Sequence, residues 1–278
     1  MQRLIIGAII TLLCLPIPAR ALTLEGHLVQ GGMAIGSVHP NTTVYFQEKP
    51  VRVSPEGLFV IGFSRDAKAE SVIELHQPSG TVEKHPVRIE KRSYKIQRID
   101  GLPPRKVSPS AEDLERIRQD RALVKAARQT DDPRTDFTQA FIWPVIGRIS
   151  GVYGSQRILN GKPKNPHSGV DIAVPTGTPV KAPADGVVSL AHNDMFYSGG
   201  TLIVDHGHGL STVFMHLHKL LVKNGQRVKQ GDVIAQVGAT GRVTGPHLHW
   251  GMNWFDTRLD PSLLVPPMPE AQAAASAQ

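Results

Sequence analysis

The chain has 278 residues, and its 31 Lys and Arg against 24 Asp and Glu give a formal net charge of +7, which suits an anionic surface, polymer or nucleic acid as a partner without choosing among them. Hydrophobic residues at 40% and charged residues at 20% are ordinary for a globular protein and exclude wholesale disorder. The 26 Gly and 22 Pro residues favour short strands joined by tight turns and argue against a helical bundle.

The N-terminus has the pattern of a secretory signal peptide over residues 1–21. Arg3 precedes an apolar run that ends at Leu15, and Ala19-Arg20-Ala21 fits the small-x-small cleavage pattern. We therefore predict an exported protein that begins at Leu22 and has no stable membrane span after cleavage, with an uncleaved anchor as the alternative. Cys14 is the only cysteine, so the mature chain is expected to use neither disulfides nor thiol chemistry.

Residues 22–105 alternate short apolar runs with turns. Thr43-Val-Tyr-Phe46, Leu58-Phe-Val-Ile61 and Val72-Ile-Glu-Leu75 are separated by Gly, Pro, Asp or Ser, as expected for strands. About seven such runs predict a small N-terminal β-sandwich. No catalytic cluster of residues is visible in this part of the sequence.

Residues 106–136 are predicted to be a helical linker. Ser108 followed by Pro109 is a favourable helix start. Leu114, Ile117 and Val124 form a narrow apolar stripe among charged residues. We expect the helix to lean on a domain along this edge and to expose its charged side chains to solvent.

Residues 137–268 return to apolar runs separated by Gly-rich turns. Runs such as Thr201-Leu-Ile-Val204 and Asp232-Val-Ile-Ala-Gln-Val237 predict a second all-β domain, an antiparallel sheet or a barrel-like fold. Residues 269–278 are small and polar and are predicted to be a disordered tail.

Histidines are concentrated in this second domain, where three His-x-His pairs occur. Residues two or four apart in a strand share a face, so His167 and Asp171 can converge with a pair from a neighbouring strand. Imidazoles with one carboxylate suit zinc, and three protein ligands leave a fourth position for water. Spacing alone does not say which pair supplies the ligands, although the first pair falls in a predicted turn, where a structural or surface role is expected. The pairs are His206/His208, His216/His218 and His247/His249.

Ordered motifs run through the segment from Trp143 to Pro266. They include His167-Ser-Gly-Val-Asp-Ile-Ala173, Ala184-Asp-Gly-Val-Val188, His216-Leu217 and Gly241-Arg-Val-Thr-Gly-Pro-His-Leu-His249. With these motifs the segment resembles the lysostaphin-type (LytM-like) zinc metallopeptidases. The resemblance implies a β-sheet fold with a substrate groove, one zinc ion per chain, and hydrolysis of the peptide cross-links of peptidoglycan.

By position, the resemblance makes His167, Asp171 and His249 the zinc ligands, and His216 and His247 catalytic histidines that do not bind the metal. All five are present. It therefore implies a zinc metalloendopeptidase of the periplasm that acts on peptidoglycan stem peptides. The N-terminal part is expected to restrict or position the enzyme without performing chemistry. A chain that begins near Asp136 is then predicted to keep zinc and to cleave small soluble cross-linked peptides at least as fast.

Three alternatives use the same features differently. A non-catalytic, wall-binding activator of another peptidoglycan hydrolase would lack zinc ligands, and none is missing here. A biotinyl or lipoyl carrier is suggested by Gly231-Asp-Val-Ile-Ala-Gln-Val-Gly238, but it would need a modifiable lysine between methionines, which the sequence does not contain. Nucleic-acid binding is disfavoured by export and by an aromatic content of only 5%.

Overall fold

The computed structural model describes residues 22–269. The predicted signal peptide and all but the first residue of the predicted tail lie outside these residues. Within them the chain is mostly β-sheet, and residues 137–268 contain strands and two short 3₁₀ helices, which confirms the all-β prediction for this part. No helix in residues 22–269 is long and apolar enough to cross a membrane.

The N-terminal part contains eight strands. They are β1 (Thr23–Gly26), β2 (Met33–Ser37), β3 (Thr43–Phe46), β4 (Lys49–Val51), β5 (Leu58–Gly62), β6 (Glu70–His76), β7 (Val82–Arg88) and β8 (Ile96–Ile99). Two antiparallel sheets, in the orders β1-β2-β5 and β4-β3-β6-β7, enclose one apolar cluster that includes Phe46, Phe59 and Ile73. Two sheets around one core fit the alternating pattern of the sequence, and assignment to a sandwich class stays a prediction.

Two helices follow, α1 (Pro104–Val107) and α2 (Ala111–Arg128). The N-cap of α2 is Ser110, whose hydroxyl accepts the Asp113 N–H at 3.2 Å, while the Asp113 carboxylate accepts the Ser110 N–H at 3.2 Å. This reciprocal pair is a capping box, and it starts the helix two residues beyond Ser108. Leu114 is 45% exposed, so the apolar stripe begins at Ile117 and not at Leu114.

The C-terminal part is built on one large sheet. Its strands are β9 (Arg148–Gly151), β10 (Gln156–Leu159), β11 (Lys162–Pro163), β12 (Gly169–Ala173), β13 (Pro179–Lys181), β14 (Gly186–Met195), β15 (Gly199–Asp205), β16 (Leu210–Leu220), β17 (Arg227–Val228), β18 (Val233–Val237), β19 (Leu248–Trp254) and β20 (Thr257–Leu259). The main path is β17-β14-β15-β16-β19-β12-β9, with β13, β18 and β20 attached to it. Strands β10 and β11 form a separate small sheet with β8, which pairs in parallel with β10.

The two parts share a hydrophobic core. Met33 and Val60 from the N-terminal sheet pack in one buried cluster with Phe137, Phe141 and Leu259. The pairing of β8 with β10 and this cluster each join residues from both sides of the predicted domain limits at residues 105 and 137. The N-terminal part is therefore packed against the C-terminal part. The domain limits themselves stay predictions.

Helix α2 lies on one particular face of the large sheet. Ala127 packs in a cluster with Val213, against which Met215 also packs. These two residues alternate along β16 with Phe214, which belongs to the main core on the other face. Because Met215 pairs directly with His249, α2 covers the same face of the sheet that carries His249.

Candidate metal centre and groove

Three side chains bring possible metal-ligating atoms together on this face: His167, Asp171 and His249. Asp171 in β12 and His249 in β19 are directly opposite in register, and His167 lies two residues before β12. The Oδ1 atom of Asp171 is 3.0 Å from His167 Nε2 and 2.8 Å from His249 Nδ1. The two ring nitrogens are 3.0 Å apart. All three residues are buried.

The protonation of His167 makes this cluster suited to a cation. His167 Nδ1 is 3.0 Å from the Val152 carbonyl oxygen, an acceptor, so Nδ1 carries the proton and Nε2 of the neutral ring keeps its lone pair. That lone pair faces a carboxylate oxygen and a second imidazole nitrogen. A buried point at which three possible ligand atoms converge suits a metal ion, and a backbone carbonyl commonly orients a metal-ligating histidine in this way.

Arg157 holds the other oxygen of the Asp171 carboxylate. Its Nη2 donates to Asp171 Oδ2 at 2.7 Å, which leaves Oδ1 for the two histidines. Burial alone would raise the pKa of Asp171, but its contacts with His167 and His249 hold that pKa well below the ordinary value. Asp171 is therefore an ionised, oriented carboxylate. The sequence motifs gave no sign of Arg157, which lies on β10, ten residues before His167.

Gly151 leaves the space in which the Asp171 carboxylate sits. A Cβ at this position would lie 2.5 Å from Asp171 Oδ2 and 3.1 Å from His167 Cε1. We expect Gly151→Ala to displace the carboxylate and to lower zinc affinity by about 10- to 100-fold, the usual scale for disturbing the support of a ligand. A competition titration with a chelator measures this affinity. Gly245→Ala is the matched control, since a Cβ there meets nothing within 4 Å, and an unchanged affinity in Gly151→Ala would contradict the expectation.

His216 and His247 stand beside the cluster as a second pair. Their ring centroids are 4.8 Å apart, and the His216 ring is 6.2 Å from the His249 ring. His216 Nδ1 donates to the Thr240 carbonyl and His247 Nδ1 to the Gly245 carbonyl, each at 2.9 Å, so both rings keep a lone pair on Nε2. Burial, with the charges of His247 and His249, lowers the pKa of His216 to about 3. His216 is therefore neutral near pH 7.

A β-bulge directs His216 towards this site. Regular alternation would place His216 on the face opposite Met215, away from His249. The register between β15 and β16 shifts at this point, and His216 has a φ of 64° with its N–H bonded to the Ser198 carbonyl at 2.8 Å. A bulge with one left-handed residue turns a side chain to the other face, which brings His216 next to His247.

The remaining histidines of the His-x-His pairs lie outside the site. His206 is buried, with Nδ1 2.6 Å from the Asp185 carbonyl and Nε2 2.8 Å from the Thr212 hydroxyl. His208 is also buried and packs on Phe137 at 4.7 Å between ring centroids. The sequence predicted either a structural or a surface role for this first pair. Because both rings are buried, the role is structural. His218 is exposed.

A groove of about 1030 Å³ opens above the cluster. His167, His216 and His249 contribute to its lining, and α2 forms one wall. Arg121 and Lys125 on α2 are exposed, as predicted for charged residues of the helix, and they also line this groove, which was not predicted. The sequence could not indicate this, because the placement of α2 depends on its packing against β14 to β16.

Comparison with known proteins identifies this arrangement. A model of peptidase family M23 matches residues 165–261. A crystal structure from Pseudomonas aeruginosa, assigned to the M23 peptidases, is 34% identical and covers 85% of this chain and 94% of its own length, with a TM-score of 0.66. This chain belongs to peptidase family M23. The family membership confirms the resemblance to lysostaphin-type zinc metallopeptidases.

Curated M23 relatives match over the catalytic part. Peptidoglycan DD-endopeptidase ShyA of Vibrio cholerae is 49% identical over 85 residues, which are 31% of this chain and 20% of the relative. DD-carboxypeptidase/endopeptidase Mpg of Neisseria meningitidis is 39% identical over 108 residues, which are 39% of this chain and 25% of the relative. The chain thus spans between a fifth and a quarter of the length of the curated relatives it matches.

Proposed function

We propose that this M23 chain is a zinc-dependent endopeptidase that hydrolyses the peptide cross-links of peptidoglycan. The observation that carries the proposal is the cluster of His167, Asp171 and His249 with two further histidines beside it, at a groove that His167, His216 and His249 line. The names of the relatives ShyA and Mpg, which describe endopeptidases, support peptide cross-links as the substrate.

In this proposal His167 Nε2, His249 Nδ1 and Asp171 Oδ1 hold the zinc ion. Three protein ligands are typical of catalytic zinc sites, whereas structural sites have four. Zinc bound there supplies a Lewis acid that polarises a peptide carbonyl. Arg157 would hold Oδ2 of the Asp171 carboxylate and so leave Oδ1 turned towards the metal.

His216 and His247 would move the protons of the reaction. Among the described residues that line the groove there is no glutamate that could act as a base, and each of these rings offers a lone pair at Nε2. One Nε2 accepts the proton of the attacking water, and a protonated Nε2 then donates a proton to the leaving amine. The carbonyls of Thr240 and Gly245 fix the tautomers that these steps require.

We further propose that the enzyme acts in the periplasm. Two observations support this location: the signal-peptide pattern of residues 1–21, and the peptidoglycan named as the substrate of a relative. The substrate would then be the stem peptides of the wall, without a nucleic-acid partner and without a stable membrane span after signal cleavage.

Mass spectrometry of muropeptides tests this function directly. Purified cross-linked muropeptides are incubated with the chain from Leu22 to Gln278, once with zinc and once after chelation. We expect the zinc-loaded protein to convert dimers into monomers with the gain of one water per bond, and the chelated protein to be inactive. Unchanged dimers, together with faster hydrolysis by an added amidase, would instead favour the non-catalytic activator.

A further inference from the structure

Arg128, the last residue of α2, is a largely buried cation that forms no ion pair or side-chain hydrogen bond within residues 22–269. Its side chain lines the groove, yet the residue is only 6% exposed. Its Nε has no hydrogen-bond partner and its guanidinium forms no ion pair within residues 22–269. Burial lowers the pKa of Arg128 to about 9, with the charge of Arg258 acting in the same direction and the charge of Asp256 in the opposite one, so the group remains charged near pH 7. A buried charged donor without an acceptor is unfavourable and calls for an explanation.

Arg258 lines the same end of the groove. It lies on β20 opposite Asn253 and donates from Nη1 to Asn253 Oδ1 at 3.0 Å. Asn253 is four residues from His249 on β19, so the two share a face of the sheet and are about 13 Å apart along the strand. Arg258 therefore lies on the face that carries the metal ligands, at a distance that about four residues of extended peptide would span.

The rest of this wall is also cationic. Arg121, Lys125 and Arg128 are spaced by four and three residues, which places them on one face of α2. Two carboxylates, Asp120 and Asp256, line the same groove, where Lys and Arg side chains outnumber them. Asp120 accepts the Phe196 N–H at 2.7 Å, and Asp256 accepts from Gln129 at 3.1 Å. The α2 wall therefore presents an excess of positive charge to whatever occupies the groove.

We propose that Arg128, together with Arg258, binds a carboxylate of the peptide substrate at the end of the groove between α2 and the β19–β20 hairpin. Guanidinium groups bind carboxylates through paired, charge-assisted hydrogen bonds, and a bound carboxylate would supply the acceptor that Arg128 lacks. The proposal rests on the proposed function. It makes α2 a specificity-determining wall, which selects peptides that carry a carboxylate within about four residues of the hydrolysed bond.

Arg128→Gln tests the proposal, because it removes the charge while keeping a polar side chain. Calorimetry with the zinc-loaded chain from Leu22 to Gln278 measures binding of a stem peptide with free carboxylates and of its amidated form. We expect the variant to bind the free acid about 10- to 100-fold more weakly than the wild type does, the scale of one charged hydrogen bond. Arg128→Gln should change the affinity for the amidated peptide little, so the effects of the substitution and of amidation on the binding free energy are not additive. With cross-linked peptides the loss should be mainly in KM.

Arg118→Gln is the matched control. Arg118 lies on the same helix, is exposed and pairs with Glu115, so its replacement should alter neither binding nor zinc content. Two results would overturn the carboxylate subsite. One is an equal loss of affinity for both peptides in Arg128→Gln, and the other is equal affinity of the wild type for the free acid and the amidated peptide. A wild type that binds the acid selectively but hydrolyses no cross-link would contradict the proposed function and leave the subsite supported.

Discussion

His249→Ala is expected to lose zinc and hydrolysis together, whereas His216→Ala and His247→Ala are expected to keep the metal. His249 Nδ1 lies within 3.0 Å of both His167 Nε2 and Asp171 Oδ1, so its removal opens the ligand set. His247 Nε2 is 3.8 Å from Asp171 Oδ1, beyond the contacts within the cluster. Loss of a general acid–base group lowers the rate by about 10²-fold or more. We expect a decrease in rate of this size in both His216→Ala and His247→Ala.

Zinc content and turnover have to be measured on the same preparations. His218→Ala is the control, because His218 belongs to the same strand as His216 and is exposed; it should keep both zinc and activity. Equal loss of zinc from His247→Ala and His249→Ala would make both residues ligands. It would also close the site with four protein ligands and contradict the proposed roles.

A chain that begins at Asp136 is expected to be unstable, although the sequence predicted that it would keep zinc and activity. Without residues 22–135, the shared cluster loses Met33 and Val60, and Phe137, Phe141 and Leu259 become exposed. The face next to the metal also loses Ala127 of α2. Each large apolar side chain taken out of a core costs about 2–5 kcal/mol, and the sum is comparable with the whole stability of about 5–15 kcal/mol of a typical domain.

Thermal unfolding followed by circular dichroism compares this shortened chain with the one that begins at Leu22. We expect the shortened chain to show no cooperative transition, or one at a much lower temperature, and to be digested rapidly by protease. Val60→Ala in the longer chain gives the contribution of one contact, about 2 kcal/mol. A shortened chain that unfolds cooperatively at the same temperature would show that the two parts are independent after all.

Local patterns were sufficient to predict the strands and most of the candidate metal site. His167 and Asp171 are four residues apart in an extended segment, and His249 lies on a neighbouring strand, so period-two alternation brings all three to one face. The choice of His249 over His247 as a ligand came from the family resemblance, since both can reach one metal from a single strand. The short distances from His249 to the other two ligands now support that choice.

Other parts of the site depend on contacts that no local pattern encodes. Alternation alone would turn His216 away from the metal, and only the bulge in β16 brings it back. Arg157 reaches Asp171 because its strand pairs with β8 from the N-terminal part. Arg128 enters the groove because α2 packs on the sheet. Each of these depends on the tertiary packing of segments that are far apart in the sequence.

The position of α2 places one wall of the groove on a different segment from the metal ligands, so peptide selection and hydrolysis can change separately in evolution. The metal ligands lie on or next to β12 and β19, whereas one wall of the groove is an 18-residue helix from another segment. The helix is fastened to the sheet by apolar contacts such as those of Ala127 with Ile203 and Val213, and its groove-facing residues can vary while these contacts persist. After gene duplication, copies of such an enzyme can therefore diverge in the wall peptides they accept by substitutions in one helix, while the hydrolytic chemistry is inherited unchanged.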